Sequence, residues 1–173
     1  GAANASSNQI VNYQEFGRCL DVTDTNINSS FQIAYPCKQD ASGKQGFDWN
    51  HKWYYTEPAA GQVRTAGQTI TVKNGSTTYC LTAPTGSGKY PVFQACSNSS
   101  AAQKWVRHGN TGVYGTSYLF TDNRGRCLAV DRNDLYRGWS KVIVESCTTS
   151  LTQKWNAPSQ TSDSVLGSFR EIG

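Results

Sequence analysis

Residues 127–155 open with Cys127-Leu128 and close with Cys147-Thr-Thr-Ser-Leu-Thr-Gln153-Lys154-Trp155. The same order, a Cys-Leu pair, a second cysteine, then a Trp ending a polar tripeptide, occurs twice more. The middle copy runs Cys80-Leu81, Cys96, Gln103-Lys104-Trp105, and the first runs Cys19-Leu20, Cys37, His51-Lys52-Trp53. The tryptophans recur at intervals of about fifty residues, and a unit of that size does not bury a sufficient core by itself. The three copies must therefore pack around one shared core.

At 173 residues the chain is expected to form a single domain, with repeats over approximately 8–60, 61–112 and 113–156 and a tail over 157–173. Only 37% of residues are hydrophobic and 16% charged; a remainder rich in Ser, Thr, Asn, Gln and Gly suits short strands joined by polar turns. The net charge of +4 is spread along the chain, so nucleic acid is not an expected partner. The densest basic stretch, Arg124-Gly-Arg126 with Arg132 and Arg137, reads as a set of solvated loops. The longest aliphatic run, Val142-Ile143-Val144, is far too short to span a membrane. The absence of Met leads us to expect a processed or excised chain.

All six cysteines belong to the repeat, and the repetition selects pairing within each copy: Cys19–Cys37, Cys80–Cys96 and Cys127–Cys147. Loops of this size each stabilise a fold by about 3 kcal/mol in the chain-entropy picture, and such bonds persist in an oxidising compartment, so secretion is expected. Structural zinc is not expected, because zinc sites use close cysteine pairs such as C-x-x-C and only two histidines are present. No cofactor is implied.

Each copy reads as four short strands. In the first they are 9–12, 18–22, 31–35 and 51–55; in the second 69–72, 79–82, 92–95 and 103–106; in the third 118–121, 126–130, 141–144 and 153–155. Twelve strands in three equivalent sets leave no unpaired sheet edge if each set gives two strands to a barrel and two to a hairpin capping its end. The expected fold is thus all-β, a β-trefoil with one disulfide in each repeat. The first copy carries an insertion over 38–48, which enlarges the loop before its Trp.

The triple Cys-Leu, Cys, Gln-x-Trp pattern over roughly residues 8–156 resembles the ricin-type lectin domain, the family of the ricin B chain and of bacterial xylan-binding modules. Two copies keep Gln-x-Trp in full; the first has His51 where Gln is usual. In that family a repeat forms a shallow sugar pocket from an Asp after Cys-Leu, an aromatic two residues before the second cysteine and an Asn before the Gln-x-Trp glutamine. The chemistry suits sugars: a carboxylate accepts hydrogen bonds from adjacent hydroxyls, an aromatic face covers the C–H patch of a pyranose, and an amide donates and accepts at once.

Carried over residue by residue, the resemblance implies that the first copy binds through Asp21, Tyr35 and Asn50, with His51 in the place of the structural glutamine. A further polar position of the family is Ile33 here, and neighbouring Gln32 replaces it only if the strand shifts or bulges. In the other copies Thr82 and Ala129 stand for the Asp, Gln94 and Glu145 for the aromatic, and Ala102 and Thr152 for the Asn, so those pockets should be weak or absent. Asp131, Tyr136 and Trp139 are candidates for a site of another design, and Trp49 and Tyr90 raise the same question with less force.

No nucleophile elbow or phosphate loop is present, and the resemblance points to binding without catalysis. The expected function is a secreted carbohydrate-binding module for galactose-type or related sugars of a glycan or polysaccharide. A fused enzyme or toxin domain is an expected partner. The alternative is a trefoil with decayed sugar sites that binds a protein, in the manner of trefoil protease inhibitors.

Overall fold

The computed structural model describes residues 10–15, 18–36, 64–109 and 117–156. The described residues form strands and short turns. The first repeat contributes β1 (Val11–Asn12), β2 (Arg18–Asp21) and β3 (Gln32–Pro36); the second contributes β4 (Arg64–Gln68), β5 (Thr71–Asn74), β6 (Thr77–Thr82), β7 (Val92–Ala95) and β8 (Trp105–His108). The third contributes β9 (Ser117–Thr121), β10 (Cys127–Tyr136), β11 (Trp139–Glu145) and β12 (Trp155–Asn156). The chain is all-β, as expected. The repeats are less alike than the four-strand reading implies: β4 was not anticipated, and β10 and β11 form one long hairpin through residues read as loop.

Strand order β10-β11-β3-β2-β1-β12-β9 returns to β10 through the β9–β10 pairing, so these strands close on themselves, while β8 and β4 extend from β9 and β5-β6-β7 form a separate sheet. Closure removes edges that would otherwise present unpaired backbone groups.

The repeated residues hold the repeated geometry. The indole Nε1 of Trp105 donates to the Leu81 carbonyl at 3.0 Å, and that of Trp155 to the Leu128 carbonyl at 2.9 Å. Each buried N–H is thus satisfied by the backbone of the Cys-Leu pair in its own repeat. The intervening glutamine ends a 3₁₀ turn and clamps the residues on either side of the second cysteine. Gln103 accepts from Ser97 N–H at 2.8 Å and donates to the Ala95 carbonyl at 3.0 Å. Gln153 accepts from Thr148 N–H at 2.7 Å and donates to the Ser146 carbonyl at 2.9 Å. Disulfides Cys80–Cys96 and Cys127–Cys147 form as expected, with sequence separations of 16 and 20. Cys19 is disulfide-bonded. Cys37, His51 and Trp53 lie outside the described residues.

Pseudo-equivalent side chains meet in one core: Leu20, Leu81 and Leu128 after the first cysteines, Ala34, Phe93 and Val144 before the second, and Trp105 with Trp155, all buried. Phe31, Tyr90 and Lys141, which precede Cys37, Cys96 and Cys147 by the same interval, also converge. Lys141 Nζ lies 4.4 Å from the Phe31 ring centre and 5.3 Å from that of Tyr90. Three such chain segments approach one another only around a common axis.

Of the basic cluster read as solvated loops, Arg126 proves structural. Its Nε bonds buried Asp122 at 2.8 Å, and its two terminal nitrogens reach the carbonyls of Gly88 at 3.0 Å and Pro84 at 2.7 Å, tying the third repeat to the second.

Replacing Gln103 by Leu strips partners from Ser97 N–H and the Ala95 carbonyl and should lower stability by about 2 kcal/mol in urea unfolding. His108 offers a pH test. Burial, then the nearby Arg64 charge, lowers its pKa below the ordinary 6.5, so the native state binds its proton less readily than the unfolded chain. Its contribution to stability is therefore present above about 6.5 and is lost as pH falls through the depressed native value. Urea midpoints followed with pH should show this decline, and His108→Gln should flatten it.

Candidate functional site

Antiparallel register decides which first-repeat side chains can act together. In β2–β3, Cys19 lies opposite Tyr35, Leu20 opposite Ala34 and Asp21 opposite Ile33, with no shift. Opposed residues share a sheet face and neighbours along a strand alternate. One face therefore carries Asp21, Ile33 and Tyr35, and the other carries Leu20 and Ala34 into the core. Asp21, Ile33 and Tyr35 line a cavity of about 300 Å³.

Gln32 falls on the core face with Ala34. It is completely buried and does not line the cavity, so its proposed substitution for the family's polar position is corrected: the regular register provides no bulge to turn it outward. Asn50 and His51 lie outside the described residues, as does Trp49.

The third repeat builds the other wall. β11 runs beside β3 with Lys141 opposite Ile33, and continuing that antiparallel register sets Trp139 beside Tyr35. Their rings meet edge-on with centres 4.9 Å apart. The Arg18 guanidinium lies 5.0 Å from the Trp139 ring centre and pairs with Glu15 at 3.5 Å. The Tyr35 ring is thus positioned through Trp139, which Arg18 in turn holds.

Tyr136 stands opposite Trp139 across a two-residue turn, Arg137-Gly138, in which both residues have positive φ, 52° and 86°. This is the turn class whose twist matches a hairpin, and Gly138 fits it without strain. A register shift between Asp131 and Leu135 bends β10 below that turn. Asp134, within the shifted segment, accepts a hydrogen bond from the Tyr90 hydroxyl and is flanked by Lys141 at 3.3 Å and Lys89 at 3.5 Å. The Tyr90 hydrogen bond first, and then Lys141, hold its carboxyl below the usual range. Asp131 instead accepts from Asn133 N–H and does not line the cavity.

At the hairpin end the Tyr136 hydroxyl donates to the carboxylate of Asp24 in the first repeat. The Tyr136 ring packs edge-on against Phe31 at 5.1 Å, and the Arg137 guanidinium lies 5.2 Å from its centre. Asp24, Thr25, Tyr136, Arg137 and Trp139 complete the lining. The cavity therefore belongs to two repeats, and Tyr136 and Trp139, considered as a separate site from sequence, join the Asp21 and Tyr35 pocket. Asp24, Thr25 and Arg137 were missed. The signal for the last was a two-residue Arg-Gly step between aromatics, a hairpin turn hidden in a polar stretch.

The equivalent positions elsewhere serve structure. Thr82 donates to the Cys80 carbonyl and accepts from Gln103, and Glu145 accepts from Gln153. Among the described residues no group of acidic, His and Cys side chains is arranged to hold a metal ion, and no helix is long and apolar enough to cross a membrane.

Residues 6–155 match the family described as the ricin-type beta-trefoil lectin domain. The chain belongs to that family. No curated protein matches its sequence. Among solved structures it is similar to a mosquitocidal holotoxin, at 19% identity and TM-score 0.59 over 86% of this chain and 16% of that one. It is also similar to ThreeFoil, a designed threefold-symmetric protein, at 16% identity and TM-score 0.58 over 86% of this chain and 95% of the other. A third is the earthworm lectin C-terminal domain mutant in complex with 6'-sialyllactose, at 16% identity and TM-score 0.54 over 86% and 95%. At these identities the likeness is one of fold, a β-trefoil.

Donation to Asp24 raises the Tyr136 pKa above its ordinary 10.0, because losing the proton would set two negative charges together. The interaction is therefore present below about 10 and is lost as pH rises through the raised native value. NMR titration of ring-labelled tyrosine should show Tyr136 ionising late, and Asp24→Asn should bring it back toward the ordinary range.

Proposed function

We propose that this chain is a secreted, non-catalytic carbohydrate-binding module that recognises galactose-type or related sugars of a glycan or polysaccharide through the first-repeat pocket. The observation that carries this reading is the placement of Asp21 and Tyr35 on one face of one hairpin, lining one cavity. A carboxylate that accepts from sugar hydroxyls and a ring that covers C–H surface are the two groups such recognition needs. Family membership supports the same reading.

The disulfides support export to an oxidising compartment. A single shallow pocket gives weak binding, about 4 kcal/mol or a millimolar constant. Useful residence then comes from a repetitive polymer or from a linked domain that gains by being held near it. A fused enzyme or toxin domain is the partner this arrangement serves.

A glycan array comparing wild type with Asp21→Asn tests the function. Wild type should give a specific signal, and the variant, folded by circular dichroism, should lose it by at least about tenfold. Equal signals would remove Asp21 from recognition, and silence from folded wild type would favour protein binding.

A further inference from the structure

Among the described residues, three that are not glycine have positive φ: Asp24 at 53°, Thr25 at 55° and Arg137 at 52°. All three line the same cavity. A left-handed backbone is unfavourable for residues with a Cβ and worst for a β-branched residue such as Thr25, and strain of this kind persists where surrounding structure enforces it. Asp24 and Thr25 come from the first repeat and Arg137 from the third, so two unrelated turns are strained toward one space.

Arg137 is the more telling. Its position in the hairpin turn suits Gly or Asn, yet it carries the largest of the polar side chains. No carboxylate among the described residues lies within ion-pair distance of its guanidinium, which rests on Tyr136 with its donors not spent on an acid. Asp21 and Tyr35 come from the first repeat, and Tyr136 with Arg137 from the adjoining hairpin of the third. The cavity of about 300 Å³ that they line together leaves room beyond one pyranose ring.

We propose that Tyr136 and Arg137 form a second subsite, which binds the sugar unit adjoining the one held by Asp21 and Tyr35, so that the pocket reads two linked units instead of one. This rests on the reading of the cavity as a sugar site. The second ring packs along Tyr136, and Arg137 donates to its ring or hydroxyl oxygens, a donor complement to the carboxylate acceptors of the first wall. The strained turn aims that donor, and the preference for a disaccharide is set by a repeat that is not the one carrying the family motif.

The test is calorimetric titration of the whole chain with galactose, lactose, xylose and xylobiose, using wild type, Arg137→Gly and Asp21→Asn. In at least one pair, wild type should bind the disaccharide about tenfold more tightly than its monosaccharide, the effect of one charge-assisted hydrogen bond. Arg137→Gly should bring that ratio near parity while its melting temperature holds or rises, since Gly accepts the left-handed turn. Arg137→Asn, which also tolerates that turn, should do the same. Equal affinities within both wild-type pairs, or an undiminished ratio in both Arg137 variants, overturns the second subsite; if Asp21→Asn still abolishes binding, the first-repeat reading survives. Absence of binding to all four sugars overturns the subsite outright, and the glycan array judges the broader reading separately.

Discussion

A tryptophan N–H enclosed in a protein core must find an acceptor there, and in this chain it finds the carbonyl of the leucine that follows a cysteine. That bond joins the end of a repeat to its beginning. The disulfide fixes the middle, and the glutamine beside the tryptophan clamps the turn between. The second and third repeats each carry a fixed bend in this way. The core itself comes from neighbours, through leucines and aromatics that no repeat can bury alone.

This explains why the architecture was legible in the sequence. The Cys-Leu, Cys, Gln-x-Trp order consists of the residues that make the local bonds, and its recurrence reports the number of bends. The site was less legible because it depends on register between repeats. Asp21 and Tyr35 could be placed together by alternation along two adjacent strands. Alternation also determines that Gln32 faces inward, a consequence of the same period that a search for a polar residue near Ile33 overrides. Tyr136 and Trp139 reach the pocket because β11 lies beside β3, a pairing between residues far apart in the chain.

The long hairpin of the third repeat escaped reading for a related reason. Asp131 to Leu135 is mostly polar and breaks strict pairing with β11, so no alternating pattern marks it as strand. Its order comes from charge and from aromatic partners in the other repeats: Asp134 meets Tyr90 and Lys141, and Tyr136 meets Asp24 and Phe31. The cavity is lined by aromatic rings from the first and third repeats, two carboxylates and a guanidinium.

The pseudo-axis shows what such divergence does for the molecule as a whole. Three interchangeable modules could follow one another around the axis in any order, since each interface would accept any neighbour. With a cation set between two rings, Lys141 against Phe31 and Tyr90, the modules are no longer interchangeable. One cyclic order satisfies the centre, and an arrangement that brought three rings or several ammonium groups together there would forfeit that contact. Unequal repeats thereby fix which module neighbours which around the axis.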